Sequence, residues 1–198
     1  MKKLMILAVM SVMMSTAANA QGLMDALKGI ATSVADKATG GKLTELALQG
    51  DWSYTGPGVK FVGDNLLAEA GGAAISGTIE SKLASAYSLV GIKQGACRFN
   101  FGSDNKFTAT LGSHTLSGTY EFDSSTHVVS LHFAAGKFNL GTLNGHAYIS
   151  GSNLDMVFPA DKLVGMITAL GARISSLNTL TSLLKKYDSV MIGFKFSK

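Results

Sequence analysis

Residues 97–158 read CRFNFGSDNKFTATLGSHTLSGTYEFDSSTHVVSLHFAAGKFNLGTLNGHAYISGSNLDMVF, and their apolar side chains recur at every second position. A period of two is typical of β-strands with one buried and one solvated face. Short segments rich in glycine, serine, asparagine and aspartate separate the alternating runs, and these residues favour tight turns. The stretch therefore predicts a meander of antiparallel strands joined by hairpins.

The alternate positions that carry apolar side chains, the apolar parity of this meander, are rich in aromatic residues. These residues are predicted to face the interior. If the sheet closes, one interpretation is a filled core, because the interior of an eight-stranded barrel is just wide enough for side chains. The other is an apolar pocket for a lipophilic ligand, since Ala109, Gly118 and Ala147 share the parity and leave room. The candidate lining consists of Phe99, Phe101, Phe107, Tyr120, Phe122, Leu131, Phe133, Met156 and Phe158.

Three segments outside the meander have the apolar spacing of helices, with residues three and four apart. They are a flank at about 23–48 and insertions at about 62–90 and 159–186. One strand begins at Gly50 and a last strand ends near Phe196, so the two ends of the sheet can pair. The predicted fold is mainly β with helical insertions (α+β), an antiparallel up-and-down barrel.

The N-terminus has the three parts of a secretory signal peptide. Lys2 and Lys3 precede an apolar run that is too short to span a bilayer, and Ala18-Asn19-Ala20 forms an A-x-A cleavage site. Residues 1–20 are therefore predicted to be removed, leaving one domain over 21–198. No later stretch is apolar enough for a transmembrane helix, so the mature protein is expected in the periplasm or secreted.

Composition argues against a nucleic-acid-binding protein and against a protein stabilised by disulfides. Without Lys2 and Lys3 the chain keeps 15 basic and 13 acidic residues, with no basic cluster for nucleic acid. Cys97 is the one cysteine, so no intramolecular disulfide forms, and its alternation with Phe99 predicts a buried thiol.

The sequence predicts no catalytic residue, no metal ligand set and no cofactor, and hence no enzyme. It contains neither G-x-S-x-G nor a G-x-x-x-x-G-K-[ST] loop. His132 and His146 lie on the polar parity of two neighbouring strands, and Glu121 and Asp155 lie on the polar parity of their own strands, but a metal site needs three or four converging ligands. Solvated surface side chains are the favoured interpretation, and an enzyme would require both histidines and a carboxylate to meet in a cleft.

Gly50-Asp51-Trp52 at the start of the first strand resembles the G-x-W of the calycin superfamily, the lipocalins and their relatives. That resemblance implies that Trp52 closes the base of the barrel and that Gly50 allows close backbone approach. The chain departs from the pattern in lacking a T-D-Y motif and an arginine in the last strand, where Lys195 is the nearest basic residue. With its leader and helices, the mature chain is similar to uncharacterised exported proteins of Bacteroidota described as lipocalin-like.

Two functions follow from these observations. The first is a non-enzymatic periplasmic binding protein for a small apolar or amphipathic ligand. The alternative is a solid-core structural or protein-interaction module of the cell envelope, which would bind an envelope protein partner. An outer-membrane barrel is disfavoured, because its strands need about 9–11 residues with an outward apolar band.

Overall fold

A computed structural model describes residues 47–61, 72–123, 125–135, 138, 140–172, 174–185 and 190–198. The predicted leader and most of the 23–48 flank lie outside these residues, as does the first part of the 62–90 insertion. The described strands are β1 (Gly50–Phe61), β2 (Cys97–Phe101), β3 (Lys106–Leu111), β4 (His114–Asp123), β5 (Val128–Phe133), β6 (Thr142–Ser150), β7 (Asn153–Pro159) and β8 (Val190–Ser197). The helices with described bounds are α1 (Gly72–Leu89), α2 (Ala160–Ala169) and α3 (Ile174–Leu184).

The eight strands form a closed barrel in which each strand pairs antiparallel with the next. Closure comes from β8, which pairs with β1 from Ser53↔Ser197 to Phe61↔Val190. The predicted up-and-down barrel with helical insertions is thereby confirmed. A closed sheet has no free edge strand, so the barrel presents no template for edge-to-edge association.

The hairpins follow the turn chemistry of the sequence. Gly112 and Ser113 alone connect β3 to β4, and Gly112 has a φ of +62°, which a two-residue hairpin turn needs and glycine adopts without strain. Before β3, the Asp104 carboxylate accepts a hydrogen bond from the Lys106 backbone N–H at 3.2 Å. These local interactions fix the register on which the alternation of buried and exposed side chains depends.

The helices gather at one end of the barrel, where β1 and β7 end and β8 begins; we call it the helical end. There β1 continues beyond its pairing with β2, which stops at Ser53↔Arg98, and α1 packs against β1 and α3. Ile79, Leu83 and Tyr87 on α1 are fully buried. The predicted 159–186 insertion divides into α2 and α3, which are separated near Gly171.

The opposite end of the barrel is closed around Trp52, which is fully buried. Its indole Nε1 donates a hydrogen bond to the Leu48 carbonyl at 2.7 Å. The Lys198 ammonium lies 4.6 Å from the centroid of the indole ring and donates to the Ala47 and Gln49 carbonyls at 2.9 and 2.7 Å. The basic residue over the indole is thus Lys198.

Lys195, the basic residue of the last strand that came nearest to the arginine of the calycin pattern, points away from Trp52. It lies on the outward parity of β8, and its ammonium is 2.7 Å from the Glu80 carboxylate of α1. Inward positions of β8 are taken by Phe194 and Phe196, so a side chain at 195 cannot reach the base of the barrel interior.

Candidate functional site

The nine candidate lining residues lie on the inward face of the barrel strands. Seven of them are at most 6% exposed, while Phe122 and Phe133 are partly exposed. Their rings contact one another: the centroid distances are 6.2 Å for Phe99–Phe107 and 5.0 Å for Phe101–Tyr120. Such distances are those of packed aromatic pairs, so this part of the interior is occupied by side chains.

Glycines on the inward face make room for neighbouring rings. A Cβ atom added to Gly145 would lie 2.6 Å from Cε1 of Phe158, and one added to Gly118 would lie 2.9 Å from Cε1 of Phe107. Ala109 and Ala147 are fully buried. The space expected beside the small residue Gly118 is therefore taken by the His132 backbone carbonyl of β5 and by the Phe107 ring of β3.

An open cleft of about 360 Å³ lies at the edge of the barrel, between the β5–β6 connection and α2. We call it the α2 cleft. Its apolar wall comes from the barrel rim, the connection and the buried Met166 of α2. The lining residues are Phe133, Phe138, Leu140, Thr142, Leu143, Asp161, Lys162, Gly165, Met166 and Ala169.

The shape of the α2 cleft depends on small residues of α2. Gly165 and Ala169 lie four apart and are exposed, whereas Leu163 and Ile167 on another face of the helix are fully buried. A Cβ atom added to Gly165 would have no heavy atom within 4 Å. The cleft is therefore open at this position, and a larger side chain there would occupy it.

Polar groups of α2 stand at the rim of the α2 cleft. Asp161 and Lys162 are both exposed, and their carboxylate oxygen and ammonium nitrogen are 3.7 Å apart. An exposed ion pair of this kind contributes little to stability. It nevertheless leaves each of the two charges with a partner of opposite sign.

A short polar chain runs across the outer face of β4, β5 and β6 into the cleft. His132 pairs with Thr142 in the strand register, and its Nδ1 lies 2.9 Å from the Thr142 hydroxyl oxygen. On the other side, His132 Nε2 is 3.9 Å from the Glu121 carboxylate. Thr142 is the member of this chain that lines the cleft.

A second open cleft, of about 520 Å³, lies beside the end of α1, with Lys93 and Leu170 among its lining residues. It also includes Leu89, which is 55% exposed and is the one large apolar side chain that stands out in solvent among the described residues. His114 lines this cleft and makes an edge contact with Phe138 of the α2 cleft, at a centroid distance of 5.0 Å. The two clefts are therefore neighbours.

The histidines considered for chemistry do not converge. His146 pairs with Val128 and His132 pairs with Thr142, so they lie four residues apart along the same strand pair, about 13 Å. His146 stacks on Tyr148, with ring centroids 6.0 Å apart. Within the described part of the chain, no group of three His, Cys, Asp or Glu side chains could hold a metal ion.

Asp155 belongs to a different cluster, on the outside of the barrel. Burial raises the pKa of its carboxyl, although the nearby ammonium groups of Lys195 and Lys60 act in the opposite direction. Lys60 itself lies 3.2 Å from the centroid of the Tyr148 ring. Asp155 thus lies beside the ammonium groups of Lys195 and Lys60 on the outer face of the barrel.

Most residues of the α2 cleft lie outside the pattern that predicted the lining of the barrel. Of the nine residues predicted to line the barrel, Phe133 alone also lines the α2 cleft. Phe138 and Leu140 lie in the β5–β6 connection, and Gly165 lies on a helix. None of the three belongs to a strand whose period of two would predict its orientation. The available signal was on α2, where Gly165 and Ala169 place small side chains on an exposed helical face.

The closed eight-stranded meander with a buried tryptophan at its base defines a calycin-like barrel. The chain belongs to the lipocalin-like domain family DUF4923, which it matches over residues 23–198. The resemblance stated from Gly50-Asp51-Trp52 is thereby confirmed at the level of family.

A solved structure similar to this chain is that of a DUF4847 family protein from Bacteroides vulgatus. The sequences are 13% identical, the match covers 75% of this chain and 92% of that one, and the TM-score is 0.36. A search of curated proteins found no match. None of the described helices has the length and apolar character that crossing a bilayer requires.

Proposed function

We propose that this protein is a non-enzymatic, exported binding protein for a small amphipathic molecule, which it holds in the α2 cleft. The observation that carries the proposal is the cleft itself, with aromatic and aliphatic walls and polar groups at one rim. Ligand sites of proteins combine these features, a mostly apolar lining with a few polar groups that orient the ligand. Membership of a lipocalin-like family is compatible with ligand binding.

The packing of the barrel centre favours the α2 cleft as the place of binding. Phe99 contacts Phe101, Phe107 and Phe196, with centroid distances of 5.8, 6.2 and 5.5 Å. A ligand at the centre would have to displace such rings, whereas the α2 cleft is already open. The nine-residue lining remains a prediction, and Phe133 is the member shared with the cleft.

The size of the cleft sets the expected affinity. Burial of one methylene group contributes about 0.8 kcal/mol, so an eight-carbon chain gains roughly 6 kcal/mol when it is fully buried. Part of that gain is offset by the cost of association. Dissociation constants of tens of micromolar or weaker are therefore expected for simple alkyl amphiphiles.

The test is displacement of the neutral fluorescent dye N-phenyl-1-naphthylamine by decan-1-ol. In the variant Gly165→Trp the indole occupies the cleft, and we expect the affinity for both compounds to fall at least tenfold. Gly165→Ala is the small control, and Gly77→Trp on α1 is the matched bulky control, because a Cβ atom at Gly77 also meets no heavy atom within 4 Å. Unchanged binding by Gly165→Trp would exclude the α2 cleft as the site.

Export is part of the proposal, and it is supported by the charged start, the apolar run and the A-x-A site of residues 1–20. N-terminal sequencing of the protein isolated from the periplasmic fraction of its own cells is expected to begin at Gln21. A chain that retains Met1 and remains in the cytoplasmic fraction would contradict it.

A second candidate function is the solid-core interaction module. The second cleft favours it, since the exposed Leu89 continues into apolar lining residues such as Val90 and Leu170, and a contiguous apolar patch is suited to a protein contact. A photo-crosslinking residue placed at position 89 in cells would capture one defined envelope protein, while the same residue at the exposed position 82 would not. Equal labelling from both positions would count against this function.

A further inference from the structure

We propose that the α2 cleft selects uncharged amphiphiles whose head group donates a hydrogen bond, such as an alcohol or an amide, and that Thr142 accepts this bond. The inference rests on the proposed function, because it names the class of ligand that the same cleft would take. It follows from the pairing of the charges at the rim and from the His132 tautomer that the nearby Glu121 carboxylate favours.

The charges that line the cleft balance each other. Lys162 is its one basic lining residue and Asp161 its one acidic lining residue among those described, and the two are paired at 3.7 Å. An anionic head group would have to compete with Asp161 for the ammonium, and a cationic head group would have to compete with Lys162 for the carboxylate. A head group without net charge leaves this pair in place, and no unpaired charge among the described lining residues favours an ionic one.

The position of the Glu121 carboxylate favours one tautomer of His132. Its Nε2 is shielded from solvent, has no hydrogen-bond partner among the described residues and lies 3.9 Å from the Glu121 carboxylate. A negative charge at that distance favours an N–H at Nε2, because the bond dipole then points its positive end toward the carboxylate. The other ring nitrogen, Nδ1, is then unprotonated and accepts hydrogen bonds.

The Thr142 hydroxyl is therefore the donor in its contact with His132. The oxygen and Nδ1 are 2.9 Å apart, and the single hydroxyl proton is used in that bond. The Thr142 oxygen can therefore only accept a hydrogen bond from a ligand. A hydroxyl or amide N–H of the ligand can complete this chain, whereas an ionised carboxylate and an ether oxygen have no proton to donate.

The expected selectivity is modest and measurable. One additional hydrogen bond of this kind contributes a net of about 1 kcal/mol, which corresponds to roughly fivefold in affinity. The discriminating ligands are decan-1-ol, which donates, decyl methyl ether, which is neutral but cannot donate, and decanoate, which is anionic. The ether has one more carbon than the alcohol, so hydrophobic burial alone would favour the ether.

The experiment measures displacement of N-phenyl-1-naphthylamine by the three compounds from wild type, Thr142→Val and Thr142→Ser. We expect wild type and Thr142→Ser to bind decan-1-ol about fivefold more tightly than the ether, and Thr142→Val to bind the ether at least as tightly as decan-1-ol. Threonine and valine have similar shapes and the position is exposed, so the variant is expected to fold. Unchanged far-ultraviolet circular dichroism checks this.

Several outcomes would overturn the inference while leaving the proposed function in place. Equal affinity of wild type for the alcohol and the ether would remove the role of Thr142. Tightest binding of decanoate, weakening with added salt, would instead identify an anion site at Lys162. Failure of all three compounds to displace the dye, with Gly165→Trp behaving as wild type, would refute the proposed function itself.

Discussion

The substitution Gly145→Ala tests whether the barrel interior is filled. Gly145 lies on β6 beside Phe158 of β7, and a Cβ atom at this position would lie 2.6 Å from Cε1 of the Phe158 ring and 2.6 Å from the Val157 carbonyl oxygen. Contacts shorter than 3 Å require something to shift. Because Phe158 is itself 1% exposed and its ring centroid is 6.4 Å from that of Phe194, it has neighbours that resist the shift.

The magnitude follows from two opposing terms. Adding a methyl group to a packed core costs about 1–3 kcal/mol through displaced side chains and backbone. Replacing glycine by alanine also restricts the unfolded chain, which stabilises the folded state by about 0.4–1 kcal/mol. The net expectation for Gly145→Ala is a decrease of about 1–2 kcal/mol in the free energy of unfolding.

Urea denaturation followed by the fluorescence of Trp52, the one tryptophan of the chain, measures this change. Gly165→Ala and Gly77→Ala are matched controls with the opposite sign, because both glycines are in helices with no heavy atom near the added Cβ. There the exchange should stabilise by about 0.5–1 kcal/mol. The smaller side chain of Phe158→Leu leaves room for the added methyl group. The double variant Gly145→Ala/Phe158→Leu should therefore have a higher free energy of unfolding than Phe158→Leu alone.

No decrease in the free energy of unfolding for Gly145→Ala would refute the packing argument, since even the smallest overpacking cost of about 1 kcal/mol is at least as large as the gain of about 0.4–1 kcal/mol from restricting the unfolded chain. Phe158 would then have room to turn away from the new methyl group. Such room would return the barrel centre to consideration as the ligand cavity, in place of the α2 cleft.

Three further predictions concern the base of the barrel, the thiol and a turn. Lys198→Met should lower the free energy of unfolding by about 1–2 kcal/mol, because two carbonyls lose a charged donor; urea denaturation checks it, with Lys82→Met at an exposed position of α1 as the control that should change little. Burial raises the pKa of the Cys97 thiol to about 12, so 5,5′-dithiobis(2-nitrobenzoate) should label it in urea and leave the native protein unlabelled over minutes. Hydrogen bonds from the Ser125 hydroxyl and N–H, followed by the Thr126 hydroxyl, lower the pKa of Asp123 from 3.8 to about 2. Its contribution to stability is therefore present above about pH 4 and is lost as the pH falls through about 2, so the free energies of unfolding of wild type and Asp123→Asn should converge below pH 2.

The strands were predictable because half-buried antiparallel strands impose a period of two on the sequence. The alternation at Phe107, Ala109 and Leu111 matches their burial in β3, and the Gly112-Ser113 turn lies where its chemistry placed it. Barrel closure was inferred from the positions of the first and last strands. It is realised by the pairing of β1 with β8, which no local pattern reports.

The extent of β1 was not predicted in the same way. Only Gly50 to Tyr54 formed a clear strand in the sequence, because Pro57 and the glycines around it have low strand propensity. The strand continues to Phe61 through an irregularity between Tyr54 and Gly56. Pairing along β8 supplies the tertiary contacts that override the local preference.

The candidate site was harder to predict than the fold. The α2 cleft combines residues of a strand rim, an irregular connection and one helical face, and such a combination arises from the placement of α2 against the barrel. The role of Lys198 was missed for a related reason. It follows the last residue of β8, so its orientation depends on the backbone contact of its N–H with the Ser152 carbonyl at 3.1 Å and not on strand parity.

The pairing of β1 with β8 has a consequence for the order of events in folding. Gly58 and Gly193 are partners across a loop of more than a hundred residues, so the barrel cannot close until nearly the whole chain is available. Contacts of such sequence separation are entropically costly and slow to form. A chain of this topology is expected to remain open while it emerges from one end, which is the condition that passage through a narrow translocation channel requires.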